Sequence, residues 1–342
     1  MKLAIFALTE NGMKLGGKLV SKISDNSILA NPKDFKKAVK HAFKKFDGLI
    51  FIMAAGIVVR TIAPLLKGKE KDPAVVVMDE KGRFVISLLS GHLGGANELA
   101  KRVAKAIGAR PVITTATDVN NLPCIEDIAK KFNLAVEDVK KIKSVNSAIV
   151  NGRKVIFVDE NIKRLNAIKK FRGQQSFKFY KSISKQSKAD VYVIITNHLS
   201  PHISHLTPYI LLRPKDLVVG IGCDRGVKLK EIETAYLKAL KKFNLSPLSV
   251  KNLASIDVKK DEKGLLKFAK KYNLEIEFYS KSQLAKMPLP SGFSKFVMGK
   301  VGVGGVCEPA ALKSAGAKKI LVKKQKIGRV TIAVAQIPIT KT

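Results

Sequence analysis

The sequence predicts an α/β protein, with N-terminal and C-terminal three-layer α/β/α domains and a smaller α/β middle domain. Three observations lead there. Short β-branched runs alternate with stretches of helical periodicity, and several of the runs are apolar at almost every position, as strands covered by helices on both faces are. At roughly 150 residues per domain, a chain of 342 residues calls for more than one.

Taken in order, a first strand is read at residues 2–8, with a helix after the turn at Asn11-Gly12. Strands follow at 49–54, Ala74–Met78, Phe84–Leu89 and 111–114. Between the last two, Ala96, Leu99, Ala100, Val103, Ala104 and Ile107 recur at three and four residues and stop at Gly108, the pattern of an amphipathic helix with a glycine end. From 123 the pattern weakens. Lysine-rich sequence gives way to strands at 154–158, 191–196 and 209–212, and 166–188, rich in Lys, Gln and Ser, reads as a solvated helix and loop or a connector. Arg213-Pro214 marks a boundary, because the residue before proline is driven out of helical geometry. Alternation then resumes: a strand at 217–221, a helix striped by Leu229, Ile232, Tyr236, Leu240 and Phe243, and strands at 275–278, 320–322 and 330–335. The domains expected are 1–122, 123–214 and 215–342.

Charge is the unusual feature of the composition. Sixty-three Lys and Arg against 27 Asp and Glu leave a formal net charge of +36, so an anionic partner is expected. Aromatic content of 6% and the absence of a nucleic-acid-binding module argue against nucleic acid, and the lysine clusters at 36–45 and 140–143 read as solvated helix faces. The cysteines are three, Cys124, Cys223 and Cys307, with no C-x-x-C pair, which fits reduced cytoplasmic thiols and argues against a disulfide scaffold or a structural zinc site. The longest apolar run, 49–59, falls short of the ~20 residues of a membrane span, and the apolar stretch at 3–8 is too short for a signal peptide. A soluble, cytoplasmic protein without a membrane partner is expected, and its oligomeric state is left open.

Four segments carry possible chemistry. The run from Ser87 to Glu98 passes from a strand through a glycine-rich turn, Ser90-Gly91-His92-Leu93-Gly94-Gly95, into a helix. Such a turn suits an oxyanion, carboxylate or phosphate, although glycine that merely relieves a tight turn is the plainer reading. His92 adds a group able to move protons near neutral pH, and Asn97 opens the helix. Two more strand ends offer Arg60, at the close of Gly56-Ile57-Val58-Val59-Arg60, and Asp118, after Thr114-Thr115-Ala116-Thr117; ligands gather beyond the carboxyl ends of parallel strands, so these loops are expected to share one crevice. Asp118 serves equally well as a turn acceptor. In the last domain, Gly220-Ile221-Gly222-Cys223-Asp224-Arg225-Gly226 again joins strand to helix. Arg225 reads as a carboxylate clamp, and Cys223 reads better as a small buried residue than as a nucleophile. Asp257 and Lys259 lie in a polar loop in which Asp261 is expected to cap the next helix, and Gly304 and Glu308 belong to a glycine-rich turn before another helix. His198, His202 and His205 flank Pro201; exposed histidines of a connecting segment are favoured over a metal site, and no metal ligands are assigned.

Taken together these segments resemble the CbiG family of anaerobic cobalamin biosynthesis. The resemblance runs through Gly56 to Arg60, Ile62-Ala63-Pro64, 72–76, Ser87 to Glu98 and 111–118 near the N-terminus. It resumes with Gly220 to Gly226, 254–257, Lys259, Asp261-Glu262, Val306-Cys307-Glu308, Ala310-Ala311, Lys324, Lys326 and Val330-Thr331. The middle region resembles the family's variable part, and Asn120-Asn121 stands where glycine is expected. The resemblance implies a hydrolase that opens the δ-lactone of cobalt-precorrin-5A with release of acetaldehyde. It implies no cofactor of its own, the cobalt being carried by the polycarboxylate macrocycle. A non-catalytic tetrapyrrole carrier is the alternative. On this reading His92, Asp118, Asp257 and Glu308 are the catalytic candidates. Arg60, Ser90, Gly91, Gly94, Gly95, Asn97, Cys223, Arg225, Lys259 and Gly304 are the substrate-binding ones.

Overall fold

The computed structural model describes residues 1–23, 26–68, 71–171, 177–182, 188–200 and 208–338. Its residues pack into two compact units that part after Asp127, and each is described by itself.

The first unit is built on a six-stranded sheet of order β2-β1-β3-β4-β5-β6. Its strands are β1 (Leu3–Ala7), β2 (Ser27–Ala30), β3 (Gly48–Ile52), β4 (Ala74–Met78), β5 (Phe84–Leu89) and β6 (Arg110–Val112). β1, β3 and β4 are buried at every position, as their unbroken apolar runs require. Helices α1 (Glu10–Lys22) and α4 (Ala96–Ile107) cover one face, where Leu19, Leu99, Val103 and Ala104 meet Ile5, Ile50 and Val76; α2 (Phe35–Lys45) and α3 (Ala55–Ile62) cover the other through Val39, Ala42, Val58 and Ile62. The expected stripe of α4 is the buried one, and Gly95 and Gly108 bracket it in left-handed geometry, φ 84° and 73°.

One pairing sets where chemistry can gather. β1, β2, β3 and β4 are mutually parallel, but β5 runs antiparallel to β4, with Val75 opposite Leu89 and Met78 opposite Val85, and β6 runs parallel to β5. The segments leaving β5 and β6 therefore emerge at the end of the sheet where β1, β3 and β4 begin. The short strand β2 is absent from the sequence reading, since Ser27–Ala30 is only four residues and offers no complete alternation.

The second unit holds two five-stranded sheets. Helix α5 (Ala116–Val119) still belongs to the first unit and α6 (Ile125–Lys131) spans the point where the units part; the first sheet of the second unit has the order β7-β11-β10-β8-β9. Its strands are β7 (Leu134–Val136), β8 (Val155–Asp159), β9 (Phe177–Tyr180), β10 (Val191–Ile195) and β11 (Tyr209–Pro214), with α7 (Ile142–Val150) and α8 (Ile162–Lys169) between them. Within the stretch read as solvated helix or connector, Phe177–Tyr180 pairs with β8 and its Phe177 and Phe179 pack on Phe157. The other sheet, β14-β13-β12-β16-β15, is formed by β12 (Leu217–Cys223), β13 (Val250–Ile256), β14 (Glu275–Tyr279), β15 (Ile320–Ile327) and β16 (Val330–Gln336). Helices α9 (Leu229–Lys242) and α10 (Lys263–Tyr272) bury Ile232, Tyr236, Leu240, Leu265 and Phe268 on one face. α11 (Lys281–Ala285), α12 (Lys295–Val301) and α13 (Cys307–Ala315) lie toward the other, where Leu284, Ala310, Ala311 and Leu312 are buried.

Arg213, the expected boundary residue, is wholly buried. Its guanidinium pairs with Glu137 and donates to the carbonyls of Thr196, His198 and Leu199, so it ties the segment after β10 to β11 at the end of the middle sheet. Among the described residues no helix is long and apolar enough to cross a membrane.

Candidate active site

The turn after β5 is held by its own backbone. Gly95, Ala96 and Asn97 donate their amides to the carbonyls of His92, Ser90 and Gly91, at 3.1, 3.1 and 3.0 Å. These three N–H groups are therefore spent, and an oxyanion would have to be met earlier in the turn. A Cβ on Gly94 would lie 2.4 Å from the Ser90 Cβ, so the turn closes only with glycine there. Ser90 itself sits at φ 58°, unusual for a residue with a side chain, and its buried Oγ has no hydrogen-bond partner among the described residues. Backbone strain and an unpaired polar atom together are costs that folds tend to retain at working sites.

Asn97, only 3% exposed, links this turn to the segment after β6. Its Oδ1 accepts from Ser87 Oγ at 2.7 Å, and its Nδ2 donates to Thr115 Oγ1 at 3.1 Å and to Asp118 Oδ2 at 2.9 Å. Asp118 is also 3.5 Å from Lys101 Nζ. The histidine ring lies between two acids: Nε2 is 3.0 Å from Thr117 Oγ1 and 3.6 Å from Asp118 Oδ2, and Nδ1 is 3.5 Å from Asp127 Oδ1. Burial disfavours a charge on His92, but the hydrogen bond and charge of Asp127, with Glu126 and Asp118 behind it, outweigh burial and raise its pKa above 6.5. Cys124 completes the surroundings, fully buried, its Sγ accepting from the Asp127 amide at 3.4 Å. Burial, reinforced by Glu126 and Asp127, pushes this thiol up.

His92, Asp118, Ser90, Gly91, Gly94, Gly95 and Asn97 are thus brought together, as the sequence led one to expect. Arg60 is not. It follows β3, whose carboxyl end lies at the opposite end of the sheet's strands, roughly 16 Å away for five residues of strand, because β5 reverses direction. There Arg60 is exposed and its Nη1 donates to the Gly56 carbonyl of its own helix at 3.1 Å. That end carries a mostly apolar hollow of about 360 Å³ lined by Leu8, Met53, Ala54 and Ile57 among others. In place of the expected single crevice, the loops lie at the two opposite ends of the strands. Cys124, Glu126 and Asp127 were missed, since nothing in a spacing of 32 residues or more ties them to His92.

In the second unit the candidates have different roles. Gly220 and Gly222 lie inside β12 rather than in a turn, and a Cβ on Gly220 would lie 1.8 Å from the Cys307 carbonyl oxygen, so its missing side chain serves the approach of α13. Burial pushes the Cys223 thiol up to about 11 despite nearby Lys259, which leaves it protonated and unsuited to nucleophilic attack. Arg225 is exposed and engaged by Asp261 and by the Val258 carbonyl, both at 2.5 Å. Asp261 therefore pairs with Arg225 instead of capping α10, whose N-cap is Glu262. Arg225 still lines a hollow of about 480 Å³ with Lys228, Lys263 and Lys267. Lys259, expected to reach substrate, is buried with its Nζ 3.5 Å from Glu262 Oε2. Asp257 lines a shallow hollow of about 560 Å³ beside Lys260, Ser280 and Lys281. Gly304 is buried beneath Phe293 and Leu289, which a Cβ would strike at 2.5 and 2.8 Å. Glu308, 3% exposed, accepts from the Ser291 amide and hydroxyl and from the Lys324 amide at 3.1, 2.7 and 3.0 Å. It fastens the loop at Ser291 and strand β15 to α13, and its carboxylate is taken up by these bonds. His198 bridges to Leu245 as a short strand pair; His202 and His205 lie outside the described residues.

A parallel-rich α/β protein that sets a histidine among carboxylates and hydroxyls beyond a glycine-rich turn holds groups of the kind that α/β enzymes use to move protons. Comparison with known proteins narrows the class. Residues 37–118 match the family described as Cobalamin synthesis G N-terminal, 123–214 the Cobalamin biosynthesis central region, and 217–335 the Cobalamin synthesis G C-terminus. A cobalt-precorrin-5A hydrolase of Priestia megaterium is 40% identical over 300 residues, 86% of this chain and 80% of that one. A protein of the same name from Salmonella typhimurium is 34% identical over 322 residues, 90% of each. The solved structure of a cobalamin biosynthesis protein G homolog from Sulfolobus solfataricus covers 98% of this chain and 97% of its own at 22% identity, with a TM-score of 0.41. The chain belongs to the CbiG family of cobalamin biosynthesis.

Proposed function

We propose that this protein is a cobalt-precorrin-5A hydrolase, and that its hydrolytic centre is the cluster around His92. The observation that carries the placement is the ring of partners at both imidazole nitrogens, Thr117 and Asp118 on one side and Asp127 on the other, 3.0–3.6 Å away. In this reading water attacks the lactone carbonyl while His92 takes its proton. Amides from Gly91 to Gly94 face the oxygen on which negative charge develops. Collapse of that adduct breaks the ring C–O bond and leaves a carboxylate and an alkoxide. The alkoxide then closes to a carbonyl as its C–C bond to the macrocycle breaks, the electron pair passing into the conjugated ring, which is later protonated. One water is consumed and one acetaldehyde released. Asn97 is a positioning residue that holds Asp118 against the imidazole. The macrocycle's acetate and propionate groups are the anions that the chain's excess of cations would meet. The cobalt arrives and leaves with the substrate, and the protein is read as cytoplasmic.

The test is incubation of the purified chain with cobalt-precorrin-5A and measurement of acetaldehyde. Stoichiometric release, lost in His92→Ala, is expected. Normal release by that variant removes His92 from the chemistry, and a shift in macrocycle absorbance without acetaldehyde identifies a carrier instead.

A further inference from the structure

We propose that His92, Cys124 and Asp127 form a binding site for a divalent transition ion of the zinc type. One ligand atom from each lies within 4.8 Å of the other two. A tetrahedral zinc with bonds of about 2.0–2.3 Å spaces its ligand atoms roughly 3.2–3.8 Å apart, so closing on the ion asks for an adjustment on the order of an ångström. Cys124 and Asp127 come from one short segment at the start of α6, and the backbone bond from the Asp127 amide to Cys124 Sγ is the kind that stabilises a metal-bound thiolate.

Two further observations point to a cation. The first is orientation. Thr117 and Asp118 hold Nε2, and Asn97 holds Asp118, which leaves Nδ1 directed to Asp127. A carboxylate fixing the far nitrogen of an imidazole is the usual support of a metal-bound histidine. The second is charge. In a chain of net charge +36, the carboxylates of Asp118 and Asp127 stand 3.6 and 3.5 Å from the two nitrogens of one imidazole. An acidic setting of this kind suits a divalent ion better than a polycarboxylate. Sulfur, nitrogen and oxygen together select zinc, cobalt(II) or iron(II) over magnesium or calcium. Three protein ligands leave a fourth position for water, whose activation would then fall to the ion, with His92 a ligand rather than the base. Only that use of the fourth position rests on the hydrolase reading; the site itself does not.

The experiment uses full-length protein stripped with chelator and titrated with Co²⁺. One equivalent is expected to bind, with a thiolate-to-cobalt charge-transfer band in the near ultraviolet and the visible bands of four-coordinate cobalt, all displaced by Zn²⁺. Cys124→Ser and Cys124→Ala should abolish the charge-transfer band, while Cys223→Ser and Cys307→Ser keep it. His92→Gln should weaken binding at least tenfold, and Asp118→Asn, acting through His92, about 10–100-fold with the band retained. Circular dichroism of each variant checks the fold. Absence of saturable binding, or a band that survives loss of Cys124, overturns the proposal. Acetaldehyde release by chelated protein overturns the ion's part in activating water and leaves the site and the hydrolase standing; a cobalt band without acetaldehyde supports the site and counts against the hydrolase.

Discussion

Replacing Asn97 by leucine tests whether the site is held by one side chain. The change keeps size and removes three hydrogen bonds: from Ser87 Oγ at 2.7 Å, to Thr115 Oγ1 at 3.1 Å and to Asp118 Oδ2 at 2.9 Å. The two neutral bonds are worth about 1 kcal/mol each and the one to a carboxylate about 1.5–3. Burial of the leucine returns up to ~1.5 kcal/mol, so the net loss is about 2–4 kcal/mol. Because the chain has two compact units, amide hydrogen exchange in α4 and β5 is the suitable readout, since it reports the opening free energy of those elements themselves. At 1.4 kcal/mol per factor of ten, protection should fall roughly 30–700-fold. Lys101→Ala, which removes ion pairs of a side chain 39% exposed, should cost no more than about 1 kcal/mol. Acetaldehyde release should fall further in Asn97→Leu than the folded fraction accounts for, with kcat rather than KM affected. Protection within about 0.5 kcal/mol of wild type, with normal turnover, would refute the positioning role.

Gly220→Ala places a Cβ 1.8 Å from a backbone carbonyl that cannot rotate away; overpacking costs typically ~1–3 kcal/mol, and at least the upper figure is expected in urea unfolding, a loss below ~1 kcal/mol counting against it. Glu308→Gln turns one acceptor into a donor facing either the Ser291 amide or the Lys324 amide and Ser291 hydroxyl, and should lower stability by about 1–3 kcal/mol, seen as a reduced melting temperature. Burial raises the pKa of both Asp159 and Asp216, with Arg164 and hydrogen bonds opposing it. A raised folded-state pKa means their contribution is fully present below the unfolded value of about 3.9 and is lost as pH rises through the folded values. The stability of wild type relative to Asp216→Asn should therefore decline from pH 4 toward neutrality; a difference independent of pH would show that these carboxyls ionise as freely folded as unfolded.

Much of the architecture was legible because burial writes itself into periodicity. The bounds of β4, β5 and α4 fall where the apolar runs and the 3.6-residue stripe place them. β13 escaped: Val250–Ile256 carries Lys251, Asn252 and Ser255, and the last two are buried by specific bonds, Asn252 to Ser314 and Ser255 to the Ile221 carbonyl, that no hydropathy pattern announces. Strand direction is the deeper loss. A run such as Phe84–Leu89 looks the same whichever way it pairs, yet its antiparallel match to β4 separates Arg60 from His92 and leaves the latter with the acids of α5 and α6.

Glycine motifs show why the candidate site was only half legible. In Ser90 to Gly95 and in Gly220 to Gly226 the same residue type follows the same strand-to-helix pattern, and both read as places where a ligand meets backbone. A missing Cβ, however, permits any close approach. At Gly94 the approach is of the turn to itself, 2.4 Å from Ser90, and it sets His92 among its acids. At Gly220 it is the carbonyl of a helix, and at Gly264 the Val227 carbonyl, 1.9 Å from where a Cβ would stand. What separates the two cases is whether a titratable side chain shares the turn, buried and with partners brought from elsewhere. His92 meets that condition; Cys223, pushed up to about 11 by burial, does not, and the proposed chemistry is therefore placed on the first turn while Gly220 in the second lets a helix approach its sheet.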